Sequence, residues 1–203
     1  AVTRIDLVYF NAGGGHRAAA LALQAVCRMQ QRPWDVRLVN LVDAVDPTAL
    51  FQRVVGMQPE DMYNGRLARG WTLGLTHELK LLQAVIRLAH DTLCQRLAAH
   101  WRRSAPEAVV SLIPNFNRPL AESLAQALPG VPFLTVMTDM ADHPPRFWRE
   151  GGVGQHLVCG TPHALAQARA AGHDARQLHA ASGMVIHPDF YAPLALDRAA
   201  ERA

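Results

Sequence analysis

The sequence predicts an α/β fold, a doubly wound, mostly parallel sheet with a helical insertion, and three observations carry that prediction. The first is the stretch from Arg4 to Arg17. In it Ile5, Leu7, Val8, Tyr9 and Phe10 form a short apolar run, ended by Gly13, Gly14 and Gly15 and followed by the helix-forming Ala18 to Leu23. A strand passing through a glycine turn into a helix is the opening unit of an open α/β sheet. The second is recurrence: apolar runs of strand length return along the chain between segments of helical character. The third is size, since 203 residues suffice for one large domain with a full core, so residues 1–203 are expected to be a single domain.

The elements follow in order. The first helix is expected to end near Gln31, with Pro33 and Trp34 leading into a second strand from Val36 to Val42 that Asp43, Asp46 and Pro47 break. Residues 48–104 show no strand pattern and form the insertion. Within it Thr76 can cap a long helix with an apolar stripe of Leu79, Leu82, Ile86, Ala89, Leu93 and Leu97, ending around Trp101 to Ser104. A third strand, Ala108 to Ile113, runs through Pro114-Asn115-Phe116-Asn117 into a helix from about Pro119 to Leu128. The fourth strand spans Pro132 to Met137 and the fifth His156 to Cys159. Thr161 then caps a helix with Pro162 in its first turn, reaching about Ala171. A weak sixth strand, Gln177 to Ala180, precedes a loop from Gly183 to Tyr191.

Composition narrows the function. Net charge is +3, and Lys80 is the only lysine among 20 basic residues, which suits phosphates, sugar nucleotides or acidic lipid surfaces. The excess is too mild, and lacks the aromatic and basic interleaving, for a nucleic-acid partner. Cys27, Cys94 and Cys159 lie far apart and without a CxxC pair, so they read as reduced core residues of a cytoplasmic protein. No apolar run has transmembrane length and residues 1–10 are strand rather than signal peptide. The absence of an initial Met and the charged helical stretch from Leu196 to Ala203 suggest a piece of a longer protein.

In open α/β sheets ligands bind beyond the carboxyl ends of the strands. That rule gathers Asn11, Gly13, Gly14, Gly15, His16, Arg17, Asn115, Asn117, Asp139 and His143 along one edge. The glycine turn has no Cβ atoms to keep a ligand from the backbone, and the following helix N-terminus favours an anion. It matches neither GxGxxG nor a P-loop. His16 is the candidate base, with Asp139 as its orienting carboxylate; taken alone, Asp139 reads better as a turn residue capping the loop after a strand. Asp142, His143 and His163 invite a metal, but no HxxxH or comparable spacing supports one, and no metal site is expected. A serine nucleophile has no GxSxG. Residues 50–75 combine apolar side chains with arginine: Arg66, Arg69, Trp71 and Leu73 are candidate membrane contacts, with packing across the sheet face as the alternative.

The run Asn11-Ala12-Gly13-Gly14-Gly15-His16-Arg17-Ala18-Ala19-Ala20 resembles the glycine-rich loop that opens the N-terminal domain of monogalactosyldiacylglycerol synthases and their bacterial diacylglycerol glycosyltransferase relatives. The likeness continues in order through Asn40 to Asp43, the strand before Pro114, Val136 to Asp139, His156 to Cys159 and Gly183 to Phe190. A similar glycine–histidine loop occurs in the peptidoglycan enzyme that adds N-acetylglucosamine to a lipid-linked precursor. The resemblance implies a GT-B architecture of two Rossmann-like domains, with the acceptor lipid on the N-terminal half and most UDP-sugar contacts on a C-terminal half absent from this chain.

It further implies inverting galactosyl or glucosyl transfer from a UDP-sugar to a diacylglycerol-type acceptor on the inner membrane surface, without a cofactor. His16 would stand at the reacting centre, with the glycine loop facing the donor diphosphate or an anionic headgroup. Where related sequences have a Gly-x-Pro turn, this chain reads Ser182-Gly183-Met184-Val185, and the isolated domain is expected to be inactive. The competing expectation is a non-catalytic module that binds a nucleotide or an anionic lipid headgroup through the same loop.

Overall fold

A computed structural model describes residues 2–11, 14–46, 75–140, 142, 144 and 146–193. Six strands form one sheet in the order β2-β1-β3-β4-β5-β6: β1 (Thr3–Tyr9), β2 (Trp34–Asn40), β3 (Ala108–Ser111), β4 (Phe133–Val136), β5 (Gln155–Cys159) and β6 (Leu178–Ala180). Among the described residues every pairing is parallel, as the doubly wound class predicts. Helices α1 (Gly15–Met29), α2 (Leu41–Val45), α3 (Leu75–Leu88), α4 (His90–Ser104), α5 (Asn117–Ala127) and α6 (Pro162–Ala170) complete the described architecture, a Rossmann-like α/β fold.

Alternation along the strands explains the layering. On one face Val8, Val109 and Phe133 pack with Leu41 and Ala44 of α2, Leu97 and Trp101 of α4, and Leu120 and Leu124 of α5. The same face continues into Leu157 and Cys159, covered by Ala164 and Ala168 of α6. On the other face Leu7 and Leu112 pack on Ala19 and Ala20 of α1. The small side chains of α1 bring it close to the sheet. Helices therefore cover both faces, and the chain reverses its direction of travel across the sheet between β1 and β3, which opens a crevice at their carboxyl ends.

Several element boundaries differ from expectation, each for a local reason. The first helix begins at Gly15, not Ala18, because Gly14 adopts φ 74° and turns the chain into it. His16 and Arg17 thus belong to the first helical turn. The second strand stops at Asn40: its side chain accepts from the Val42 backbone N–H at 3.1 Å and caps α2, so Leu41 and Val42 are helical.

The long helix of the insertion is two helices, α3 and α4, interrupted at Ala89 with ψ 2°. Their surroundings differ: α4 buries Leu97, Ala98 and Trp101 against the sheet side, whereas α3 leaves Leu81, Leu82, Val85 and Leu88 exposed. Of the expected stripe, Ile86 and Leu97 are buried and Leu82 is not. Thr161 caps α6 as expected, accepting from the Ala164 N–H at 3.0 Å.

Candidate functional site

The crevice between β1 and β3 is where His16 lies. Its position follows from the turn: Gly14 is the left-handed residue that starts α1, and His16 is two residues on, half-buried beneath the loop that follows β4. The Leu112 backbone carbonyl lies by the ring and favours its protonated form. Its Nδ1 is 3.5 Å from Thr138 Oγ1, a long contact, and its edge faces Trp148 with ring centroids 6.3 Å apart. Burial holds the His16 pKa below its ordinary 6.5; the Asp139 charge and the Leu112 carbonyl oppose that without overcoming it. His16 is therefore neutral at neutral pH. A neutral imidazole that donates from one nitrogen keeps a lone pair on the other, which is what a general base needs.

Asp139 does not hydrogen-bond to His16. Its Oδ2 accepts from Trp148 Nε1 at 3.1 Å, and it acts on His16 through its charge alone. The residue that organises this corner is Trp148, which is fully buried yet set in the loop between β4 and β5. Its carbonyl accepts from Asn117 Nδ2 at 3.2 Å and from Gln155 Nε2 at 2.9 Å. Asn117 Nδ2 also donates to the Ile113 carbonyl at 3.1 Å, and its Oδ1 accepts from Thr135 Oγ1 at 3.1 Å. Thr135 Oγ1 in turn accepts from Gln155 Nε2 at 2.8 Å, and Gln155 Oε1 accepts from the Glu150 N–H at 2.9 Å.

A buried polar network of this kind is stable only when its members are satisfied, and these are. Asn117 thus spends its amide holding the 146–150 loop rather than facing a ligand. Sequence reasoning missed Trp148, Thr135 and Gln155. Thr135 lies within β4 and Gln155 opens β5, and neither carries a sequence signal of burial.

Asn115 adopts φ 64°; its N–H donates to the Phe147 carbonyl at 2.6 Å and its Oδ1 accepts from Gln83 Nε2 at 3.1 Å. It borders a cleft of about 100 Å³ that Gln83, Arg87, Arg118, Arg146 and Glu150 also line. Arg118 is committed: it donates from Nε to Glu150 at 3.2 Å, from Nη1 to Glu122 at 2.8 Å and from Nη2 to the Gly151 carbonyl at 2.7 Å. Glu150 is pushed up by burial, and Arg118 pulls it back only in part.

Arg17 is exposed on the first turn of α1 and Asn11 is half-buried at the end of β1. Gly13, His143, Arg66, Arg69, Trp71 and Leu73 lie outside the described residues. His163 Nε2 contacts Asp142 Oδ1, both exposed.

No protein-family model matches this chain, and no curated protein does. Among the described residues no helix is long and apolar enough to cross a membrane.

Proposed function

We propose that the chain is the acceptor-side domain of an inverting, UDP-sugar-dependent glycolipid glycosyltransferase, which transfers galactose or glucose to a diacylglycerol-type acceptor. Support comes from one observation above all. His16 stands at the reversal point of a wholly parallel sheet, kept neutral by burial, beside a left-handed glycine at a helix N-terminus. The resemblance of residues 11–20 to the glycine–histidine loop of diacylglycerol glycosyltransferases supplies the reaction class.

In this mechanism His16 takes the proton of the acceptor hydroxyl as its oxygen attacks the sugar C1. UDP leaves with the bonding electron pair toward a partner domain. Attack and departure occur on opposite faces of the sugar, so the anomeric configuration inverts. The first N–H groups of α1 favour the negative charge that gathers on the diphosphate.

The exposed apolar stripe of α3, with Lys80 and Arg87 on the same helix, supports a membrane surface as the place where the lipid is met. A second reading, anion binding without catalysis, is favoured by Arg87 and Arg146 in the cleft beside Asn115.

In the full-length protein, His16→Ala should lower glycosyl transfer from UDP-galactose or UDP-glucose to diacylglycerol vesicles by about 100-fold or more, the usual worth of a general base. The acid limb of kcat/KM in the parent should lie below pH 6.5, because the His16 pKa is lowered from that value. Transfer unaffected by the substitution would remove His16 from the mechanism. Phosphate binding that is lost on Arg87→Ala or Arg146→Ala, with no transfer in any variant, would favour the second reading.

A further inference from the structure

His90, Cys94 and Glu122 converge from two helices, away from the His16 corner. His90 opens α4 and Cys94 follows four residues later, one turn along the same helix face. Glu122 comes from α5, which packs on α4. His90 Nε2 is 2.8 Å from Glu122 Oε2 and 3.5 Å from Cys94 Sγ, and the three donor atoms all lie within 4.8 Å of one another, each residue half-buried. We infer that these side chains form a binding site for a divalent ion of the zinc type, with imidazole, thiolate and carboxylate as its protein ligands.

Two of the three donor separations can be compared with such an ion, and the third, Cys94 to Glu122, lies within 4.8 Å. Bond lengths of about 2.0 Å to nitrogen and about 2.3 Å to sulfur, at tetrahedral angles, separate the two donors by about 3.5 Å. That is the His90–Cys94 distance already present. Nitrogen and oxygen ligands stand about 3.4 Å apart in the same geometry. Glu122 Oε2, at 2.8 Å, therefore has to move back by roughly half an ångström. Its carboxylate is held on the far side: Glu122 Oε1 accepts from Arg118 Nη1 at 2.8 Å, which turns Oε2 toward His90 and supplies the orienting outer contact metal ligands ordinarily have.

The donor chemistry selects the ion. Thiolate and imidazole together favour zinc over magnesium or calcium, which take oxygen ligands. A dipositive ion with one thiolate and one carboxylate leaves the cluster neutral, so Arg118 keeps its role beside it. Three protein ligands leave a fourth position for water, and His90 also borders the cleft beside Asn115, so the ion is reached from solvent.

The test uses the chain in its reduced form, stripped with a chelator and titrated with Co²⁺ and then with Zn²⁺. Co²⁺ should produce a thiolate-to-metal charge-transfer band and the visible bands of a tetrahedral site, and Zn²⁺ should abolish both at one equivalent. Cys27→Ser should keep the band. Cys94→Ser should lose it, and His90→Gln and Glu122→Gln should each weaken Zn²⁺ binding by at least about 10-fold, since outer contacts alone are worth 10–100-fold. Circular dichroism identifies any variant that fails to fold, and the parent's own spectrum stands independently of the variants. No charge-transfer band in the parent, or a band that survives Cys94→Ser, would overturn the site and leave a simple His90–Glu122 hydrogen bond.

Discussion

At the scale of single residues, His16 owes its neutral state to what surrounds it rather than to a partner. Desolvation lowers its pKa, while Asp139, held by Trp148 Nε1 at 3.1 Å, offsets part of that through its charge. Asp139→Asn removes the charge and keeps an oxygen for Trp148 to donate to, so the His16 pKa should drop further. Because Asp139 is exposed, stability should change by no more than about 0.5 kcal/mol. Titration of the His16 ring by NMR in both chains checks this, and an unmoved pKa would mean that the carboxylate does not reach the imidazole. The expected pairing of His16 with Asp139 rested on sheet-edge proximity. Sequence could bring the two residues near each other. It could not show that an indole nine residues after Asp139 claims the carboxylate.

At the scale of elements, the helices were legible where periodicity and caps agreed and illegible where tertiary contacts decided. Thr161 with Pro162 marked the start of α6 because both signals act within one turn. The break at Ala89 has no Gly or Pro to announce it. It separates a helix packed into the core from one whose Leu81, Val85 and Leu88 line up three and four residues apart with 66%, 52% and 88% exposure. Apolar side chains on one face with Lys80 and Arg87 nearby suit an anionic lipid surface. Replacing Leu81, Val85 and Leu88 together by Ser should reduce co-flotation with phosphatidylglycerol vesicles several-fold, whereas added salt should weaken the parent only in part. Flotation equal to the parent would assign this face to another partner. The metal-ligand cluster escaped sequence reasoning for a related reason: a His and a Cys four apart are unremarkable until Glu122 arrives from α5.

At the scale of the whole molecule, the doubly wound class and the succession of six strands along the chain were readable from the apolar runs and the glycine turn, whereas their order in the sheet comes from the structure. The polar core was not readable. Gln155, Thr135 and Asn117 look like surface residues in a hydropathy pattern, and only the pairing of β4 with β5 shows that they satisfy one another.

The same burial makes stability depend on pH. His16, His100 and His173, spread over the molecule, all have pKa values lowered by desolvation. The buried Nε2 atoms of His100 and His173 have no hydrogen-bond partner, so a proton placed on either would find no acceptor. The unfolded chain binds these protons more tightly, so stability is complete above the unfolded value of 6.5 and falls as pH drops below it. Glu150, raised from 4.5, has the opposite sign and offsets part of the loss at lower pH. Urea midpoints between pH 5.5 and 7.5 should therefore rise with pH, and His100→Gln or His173→Gln should flatten the rise if the variant folds. A flat parent profile would show that these rings are hydrated.

An all-parallel sheet also sets an order of events during synthesis. No two neighbouring strands can zip together as a hairpin, and β1, the second strand in the sheet, pairs with β3 in a register that sets Ile5 beside Ala108, far along the chain. The first strand emerges from the ribosome with only β2 available on one side. Its other edge, and the packing of Leu112 beside Leu7 and of Val109 beside Val8, wait for half the chain to follow. Loop closure over that distance is slow, and an unpaired apolar edge is open to other chains meanwhile. The carboxyl end of β1, where His16 will sit, is thus assembled late although it is made early.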